Sequence, residues 1–236
     1  MYQPIGEAAV ALSTEGQVTG ESVFGNFAMD IARAAGGAHA AFSTSSTFRE
    51  PVGSGTILET ELRAAIPYKN KLLVYQMNGA QLQKVLDFSV SRSGSDSFSQ
   101  VAGVRFTIAN GQAANVQVLK DPKNPAAGFA PLDPAATYDV VTSDYQAQIA
   151  GGYKDIFAGL TSRDTGLDLR DQVRSFIQAN SPVTAKLDGR IASGSPAQLP
   201  ATGGSPAGPE GIALAGLLLV AAGLLVRRRE LRRPVK

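Results

Sequence analysis

Residues able to do acid–base, nucleophilic or metal-assisted chemistry are sparse in this chain of 236 residues. There is no cysteine and only one histidine, His39. That removes thiolate nucleophiles, disulfide staples and any histidine-rich metal centre. His39 opens a short apolar stretch, His39 to Thr44, that reads as a strand, and a packed or rim imidazole is expected there. No Gly-x-Ser-x-Gly, Ser-x-x-Lys, P-loop or Gly-x-Gly-x-x-Gly pattern occurs, so the usual nucleophile and phosphate-cradle motifs are missing. The carboxylates are scattered, with no obvious acid–base pair. Taken alone, these residues describe a globular domain without a visible catalytic engine.

The elements that would position any site are easier to read. Phe24, Phe27, Ala28 and Ile31 recur at helical spacing within 22–35, and Gly36-Gly37 supplies a stop. Glu59 to Ile66 reads as a short helix ended by Pro67. Lys71 to Met77 reads as a strand that Asn78-Gly79 turns into a helix over 80–91, with Leu82, Val85, Leu86 and Val90 on one face. Val104, Phe106 and Ile108 alternate, Asn110-Gly111 follows, and Val116 and Val118 alternate again, which predicts a hairpin. Thr137 to Ser143 is a further strand, 121–134 a loop, and Gly151-Gly152 a tight turn. A last amphipathic helix carries Leu169, Val173, Phe176 and Ile177, with a capping box expected at Thr165–Asp168. The class is α+β, with mixed sheets and flanking helices.

The net charge of +2 conceals an asymmetry. The tail beyond Thr202 holds six of the basic and two of the acidic residues, which leaves 16 and 18 in residues 1–202, a net charge of −2. No nucleic-acid affinity follows. The tail has a Pro/Gly/Ser-rich spacer spanning 193–211 that contains Leu199-Pro200-Ala201-Thr202-Gly203, then an uncharged apolar run over 212–226 and a basic end over 227–236. An apolar run of that length is short for a membrane-spanning helix, but snorkelling arginines extend its reach, and the basic cluster leaves the rest of the chain outside. The arrangement resembles an LPxTG-type cell-wall sorting signal of Gram-positive surface proteins. That resemblance implies sortase, peptidoglycan and the membrane as partners, and a place at the cell wall or outer face of the plasma membrane. A plain single-pass anchor is the rival reading. Residues 1–7 have neither the basic nor the apolar region of a signal peptide, so the expectation is a reading frame that forms the back part of a longer secreted protein.

Residues 5–191 resemble the C-terminal domain of the 5′-nucleotidase and UDP-sugar hydrolase family. The resemblance is carried in order by Ile5-Gly6-Glu7, by Glu21 to Asn26 with Asp30, by Thr44 to Arg49, by Gly55-Thr56-Ile57 and Ile66 to Asn70, by Leu82, by Phe98 to Gly103, by Tyr138 to Tyr153 and by Gly189-Arg190-Ile191. It implies one domain over 1–192 that binds a nucleotide or nucleoside. The divalent metals and the hydrolysis would belong to an N-terminal metallophosphoesterase domain, in the same product or separately encoded. On this resemblance Tyr68 and Tyr153 stack on the base, Asn70 reads a base edge, Arg49 contacts the nucleotide and Asp155 meets the ribose. Base stacking on an aromatic face contributes roughly 1–3 kcal/mol, and the planar arginine fork suits an anion.

Departures from the family pattern bear on this expectation. Gly20 stands where many relatives carry arginine, Thr44-Ser45-Ser46 replaces Asn-Gly-Gly, and the loop at 151–155 is shortened. Each position also has a plain structural reading: Tyr68 as a rim aromatic, Tyr153 as loop packing, Arg49 as a surface partner of Glu50 or Glu59, Asn70 as a turn residue. The chain alone is expected to bind and not to turn over. The alternative is a repurposed or decayed wall-attached interaction module.

Overall fold

A computed structural model describes residues 3–194. The pentapeptide 199–203, most of the spacer, the apolar run 212–226 and the basic end 227–236 lie outside the described residues. Among the described residues no helix is long and apolar enough to cross a membrane.

In chain order the elements are β1 (Pro4–Ala8), α1 (Val23–Gly36), β2 (Ala40–Thr44), β3 (Gly55–Leu58), α2 (Glu59–Ala65), β4 (Lys71–Asn78) and α3 (Gly79–Ser91). Then come β5 (Ser99–Ala102), β6 (Val104–Ala109), β7 (Gln112–Leu119), β8 (Phe129–Pro131), β9 (Thr137–Ser143) and α4 (Asp144–Gln148). The set closes with α5 (Tyr153–Phe157), β10 (Ser162–Asp168), α6 (Leu169–Asn180) and β11 (Ile191–Ser193). A five-stranded mixed sheet runs β10-β4-β9-β2-β5, beside a four-stranded sheet β11-β6-β7-β8 and the pair β1-β3. In the larger sheet β2 and β9 are parallel, while β4 and β5 run against their neighbours.

The inner strands of the large sheet are buried on both faces, and β4 carries the apolar run Leu72 to Tyr75 that such burial demands, whereas the edge strand β10 is polar and largely exposed. Leu72, Val74, Ala41 and Val141 face one core, shared with α1, α2 and α6. Leu73, Tyr75, Met77, Phe42 and Val140 face the other, shared with α3, α5 and the second sheet. The strand period of two sorts neighbouring residues into opposite cores.

Local chemistry explains the boundaries. Ser22 caps α1 by accepting from the Gly25 amide at 3.0 Å, and Gly37 ends it at φ 64°. Asn78 and Gln81 form a reciprocal capping box on α3, each bond 2.8 Å long. Asn110 and Gly111 take φ values of 52° and 74°, the paired left-handed turn that the Asn-Gly signal predicts between β6 and β7. The capping box expected at Thr165–Asp168 is not formed. Thr165 belongs to β10, and Asp168 alone caps α6 by accepting from the Asp171 amide at 3.1 Å.

Candidate functional site

The pairing register brings four chain segments to one end of the large sheet. The parallel strands β2 and β9 finish there, with Phe42 opposite Thr142. Strand β4 begins there, with Leu72 opposite Ser143, and β5 begins there, with Ser99 opposite Thr44. Ligands of open mixed sheets characteristically bind outside the carboxyl ends of parallel strands. The turn 45–47 after β2, the segment 67–70 before β4, and α4 after β9 line a cleft of about 190 Å³ whose walls are Ser46, Thr47, Arg49, Tyr68, Asn70 and Tyr145. That is below the usual range of enclosed ligand pockets and fits a half-open slot that grips one flat ring.

The floor is rigid. The Ser45 hydroxyl bonds to the carbonyls of Gln17 and Phe98, and the hydroxyl pairs Ser43–Thr47 and Thr44–Ser46 lie at 2.8 Å. The Arg49 amide donates to the Ala65 carbonyl at 2.9 Å. Buried Arg170, at the start of α6, donates to the carbonyls of Ile66 and Pro67 at 3.1 and 3.0 Å, and the Leu169 amide reaches the Asn70 carbonyl at 3.3 Å. Tyr68 is thus held from both sides while the residue remains 47 % exposed.

The Arg49 guanidinium donates to the Tyr68 hydroxyl at 3.3 Å and to the Asp96 carboxylate at 3.4 Å, and lies 5.8 Å from the Tyr68 ring centre. The bond to Tyr68 and, behind it, the charge of Asp96 raise the pKa of Arg49 above its ordinary value, so it stays charged. Arg49 does not pair with Glu50 or Glu59. Glu59 bonds instead to Arg63 and Arg174. The Asn70 side-chain amide makes no hydrogen bond to another described residue and is open to a ligand.

The structure brings Arg49, Tyr68 and Asn70 together, and leaves out Tyr153 and Asp155. Tyr153 is fully buried. Its ring meets Phe88 edge-on at 4.7 Å, and its hydroxyl bonds to Ser99 Oγ at 2.8 Å and the Ser97 carbonyl at 2.9 Å. Burial pushes the phenol pKa up. A stacking role for Tyr153 is therefore corrected, because no face of the ring is open to a base. Asp155 is exposed on α5, away from the cleft walls. The second aromatic wall is Tyr145, 38 % exposed. It stands on α4, capped by Ser143 accepting from the Gln146 amide at 3.0 Å, while Gln146 reaches Ser99 Oγ at 2.9 Å. The buried hydroxyl of Tyr153 shares Ser99 Oγ with Gln146, while the cap from Ser143 seats α4 without it. His39 is half-buried and accepts from the Asp139 amide at 3.2 Å, a packing role.

A larger hollow of about 710 Å³ lies between α1 and α6. Its arginine, Arg190, is buried and committed to Asp30 and Asp188 at 3.0 and 2.9 Å. The smaller cleft is the better candidate, since it is lined by two exposed tyrosines, a guanidinium and an amide that bonds to no described residue. Among the described residues there is no group of three or more His, Cys, Asp or Glu that could hold a metal ion.

The described residues thus form a mixed-sheet α+β domain with a tyrosine-lined cleft at its strand ends. Residues 4–159 match the model of the 5′-nucleotidase C-terminal domain, and the chain belongs to that family. It is 30 % identical over 162 residues to a 5′-nucleotidase-related protein of Glossina morsitans morsitans, covering 64 % of this chain and 28 % of that protein. It is 26 % identical over 181 residues to the trifunctional nucleotide phosphoesterase YfkN of Bacillus subtilis, covering 73 % of this chain and 12 % of the relative. Among solved structures, the 5′-nucleotidase precursor of Thermus thermophilus superposes with a TM-score of 0.73 at 26 % identity, covering 81 % of this chain and 39 % of that one. The chain therefore spans well under half the length of these relatives.

Proposed function

We propose that this chain is the nucleotide- or nucleoside-binding domain of a cell-surface 5′-nucleotidase. The observation that carries the reading is the gathering of two exposed tyrosines, Tyr68 and Tyr145, with the Asn70 amide and the Arg49 guanidinium in one cleft. A base enters the slot and stacks, Asn70 reads its edge, and Arg49 lies where a negatively charged group of the ligand would be held. Hydrolysis of the phosphate ester, which gives a nucleoside and phosphate, needs divalent metals that a metallophosphoesterase domain would supply, in the same product or separately encoded. The order pentapeptide, spacer, apolar run and basic end supports export and sortase-dependent attachment to peptidoglycan, with a membrane-held intermediate. A repurposed, ligand-free wall module is the second reading, favoured by the inward-turned Tyr153 and by the pairing of Arg49 with Asp96.

Calorimetric titration of adenosine into the purified chain separates the two. Saturable binding that Tyr68→Ala weakens at least about fivefold, the loss of one stacking face, supports the nucleotidase reading. No binding, or a Tyr68→Ala variant equal to wild type, supports the wall module.

A further inference from the structure

We infer that Asp96 is a specificity-determining residue that biases the cleft toward the neutral nucleoside and against its phosphate-bearing form. The inference rests on the nucleoside-binding reading above. The segment carrying Asp96 leads into β5 at the same sheet end as the cleft. It is fixed there by the Ser46 amide, which donates to the Asp96 carbonyl at 3.0 Å, and by the Phe98 amide bonding to the Ser95 carbonyl at 3.0 Å. The carboxylate is thus held beside the guanidinium that forms one wall. Of the two terminal nitrogens of Arg49, Nη1 donates to Asp96 and Nη2 to the Tyr68 hydroxyl. The fork that would clasp a phosphate in two parallel bonds is already divided between two partners of the protein.

The pair is not a structural strut. The side chains of Arg49 and Asp96 are 45 % and 63 % exposed, and the contact at 3.4 Å is long, so water competes with it and a better acceptor displaces it. A neutral nucleoside stacks on a tyrosine of the cleft with the pair intact. A nucleotide has to break the Arg49–Asp96 contact and then place its phosphate near a carboxylate of like charge. Both effects lower the affinity for the nucleotide relative to the nucleoside. Replacing Asp96 with asparagine keeps the shape and removes the charge, and its exposure leaves the fold intact.

The test is calorimetry at low salt with adenosine and with adenosine 5′-monophosphate as probes, on wild type, Asp96→Asn and the double variant Asp96→Asn/Arg49→Gln. We expect Asp96→Asn to tighten the monophosphate about two- to fivefold, the range an exposed ion pair commands. Adenosine should stay unchanged, and the gain should vanish in the double variant. Wild-type binding of adenosine with the same monophosphate-to-adenosine ratio in Asp96→Asn overturns this inference alone. Weaker adenosine binding in Asp96→Asn also overturns it, by making the carboxylate a direct contact of the nucleoside. Failure of adenosine to bind wild type overturns the nucleoside-binding reading and this inference with it.

Discussion

Tyr153→Phe removes a single oxygen from the interior and separates two views of this side chain. The ring and its edge contact with Phe88 at 4.7 Å remain, while the bonds to Ser99 Oγ and the Ser97 carbonyl, at 2.8 and 2.9 Å, are lost. Ser99 keeps a partner in Gln146, but the Ser97 carbonyl loses the phenol that reaches it. Two net hydrogen bonds, one leaving a weakly satisfied acceptor, amount to about 2 kcal/mol. For a domain of this size that lowers Tm by about 4–8 °C. Urea unfolding followed by circular dichroism reads the change as a lower midpoint at constant slope, and adenosine affinity of the folded protein should stay within about twofold. An unchanged midpoint together with lost adenosine binding would refute the reasoning, since that is the behaviour of a residue touching ligand.

Two further outcomes test the scaffold. Arg170→Met should cost about 2–3 kcal/mol by stranding the carbonyls of Ile66 and Pro67. It should also weaken adenosine several-fold through the loosened Tyr68, so calorimetry and thermal melts should move together. Glu59 has its carboxyl pKa held below the ordinary range, first by the hydrogen bond from Arg174. Its folded pKa lies below its unfolded one, so the stabilisation is present above about pH 4 to 5 and is lost as pH falls through the folded value. Urea midpoints at pH 7, 5 and 3 should therefore drop less between pH 5 and 3 in Glu59→Gln than in wild type.

Where burial and periodicity agree, the elements were legible in advance. The apolar stripe over 22–35 and the Leu82–Val90 face became α1 and α3, and Asn110-Gly111 became the hairpin turn. Strand β10 escaped notice because it is a polar edge strand, largely exposed, whose pairing with β4 owes nothing to an apolar pattern. In the cleft, Arg49, Tyr68 and Asn70 are named only through the resemblance of the Thr44–Arg49 and Ile66–Asn70 blocks to the family, since no periodicity or spacing singles them out, and the structure sets all three on its walls. Tyr145 was missed because it stands on a helix of five residues, too short to show a period. The stacking role of Tyr153 comes from the resemblance alone, whereas its plain reading as a packing residue agrees with its burial; its burying partners, Phe88 and Ser99, lie more than fifty residues back in the sequence, where no local pattern reveals them. Asp96 and Arg170 act through contacts that only the sheet register creates.

The central claim is that the slot at the ends of β2 and β9 is where the base binds. Amide shift mapping of the isotope-labelled chain during an adenosine titration tests it most directly. The expected result is saturable shifts centred on Ser46 to Arg49, Tyr68 to Asn70 and Asp144 to Gln146. Shifts centred instead on α1 and α6 around Asn26 and Phe176, or no shifts at all, would contradict it.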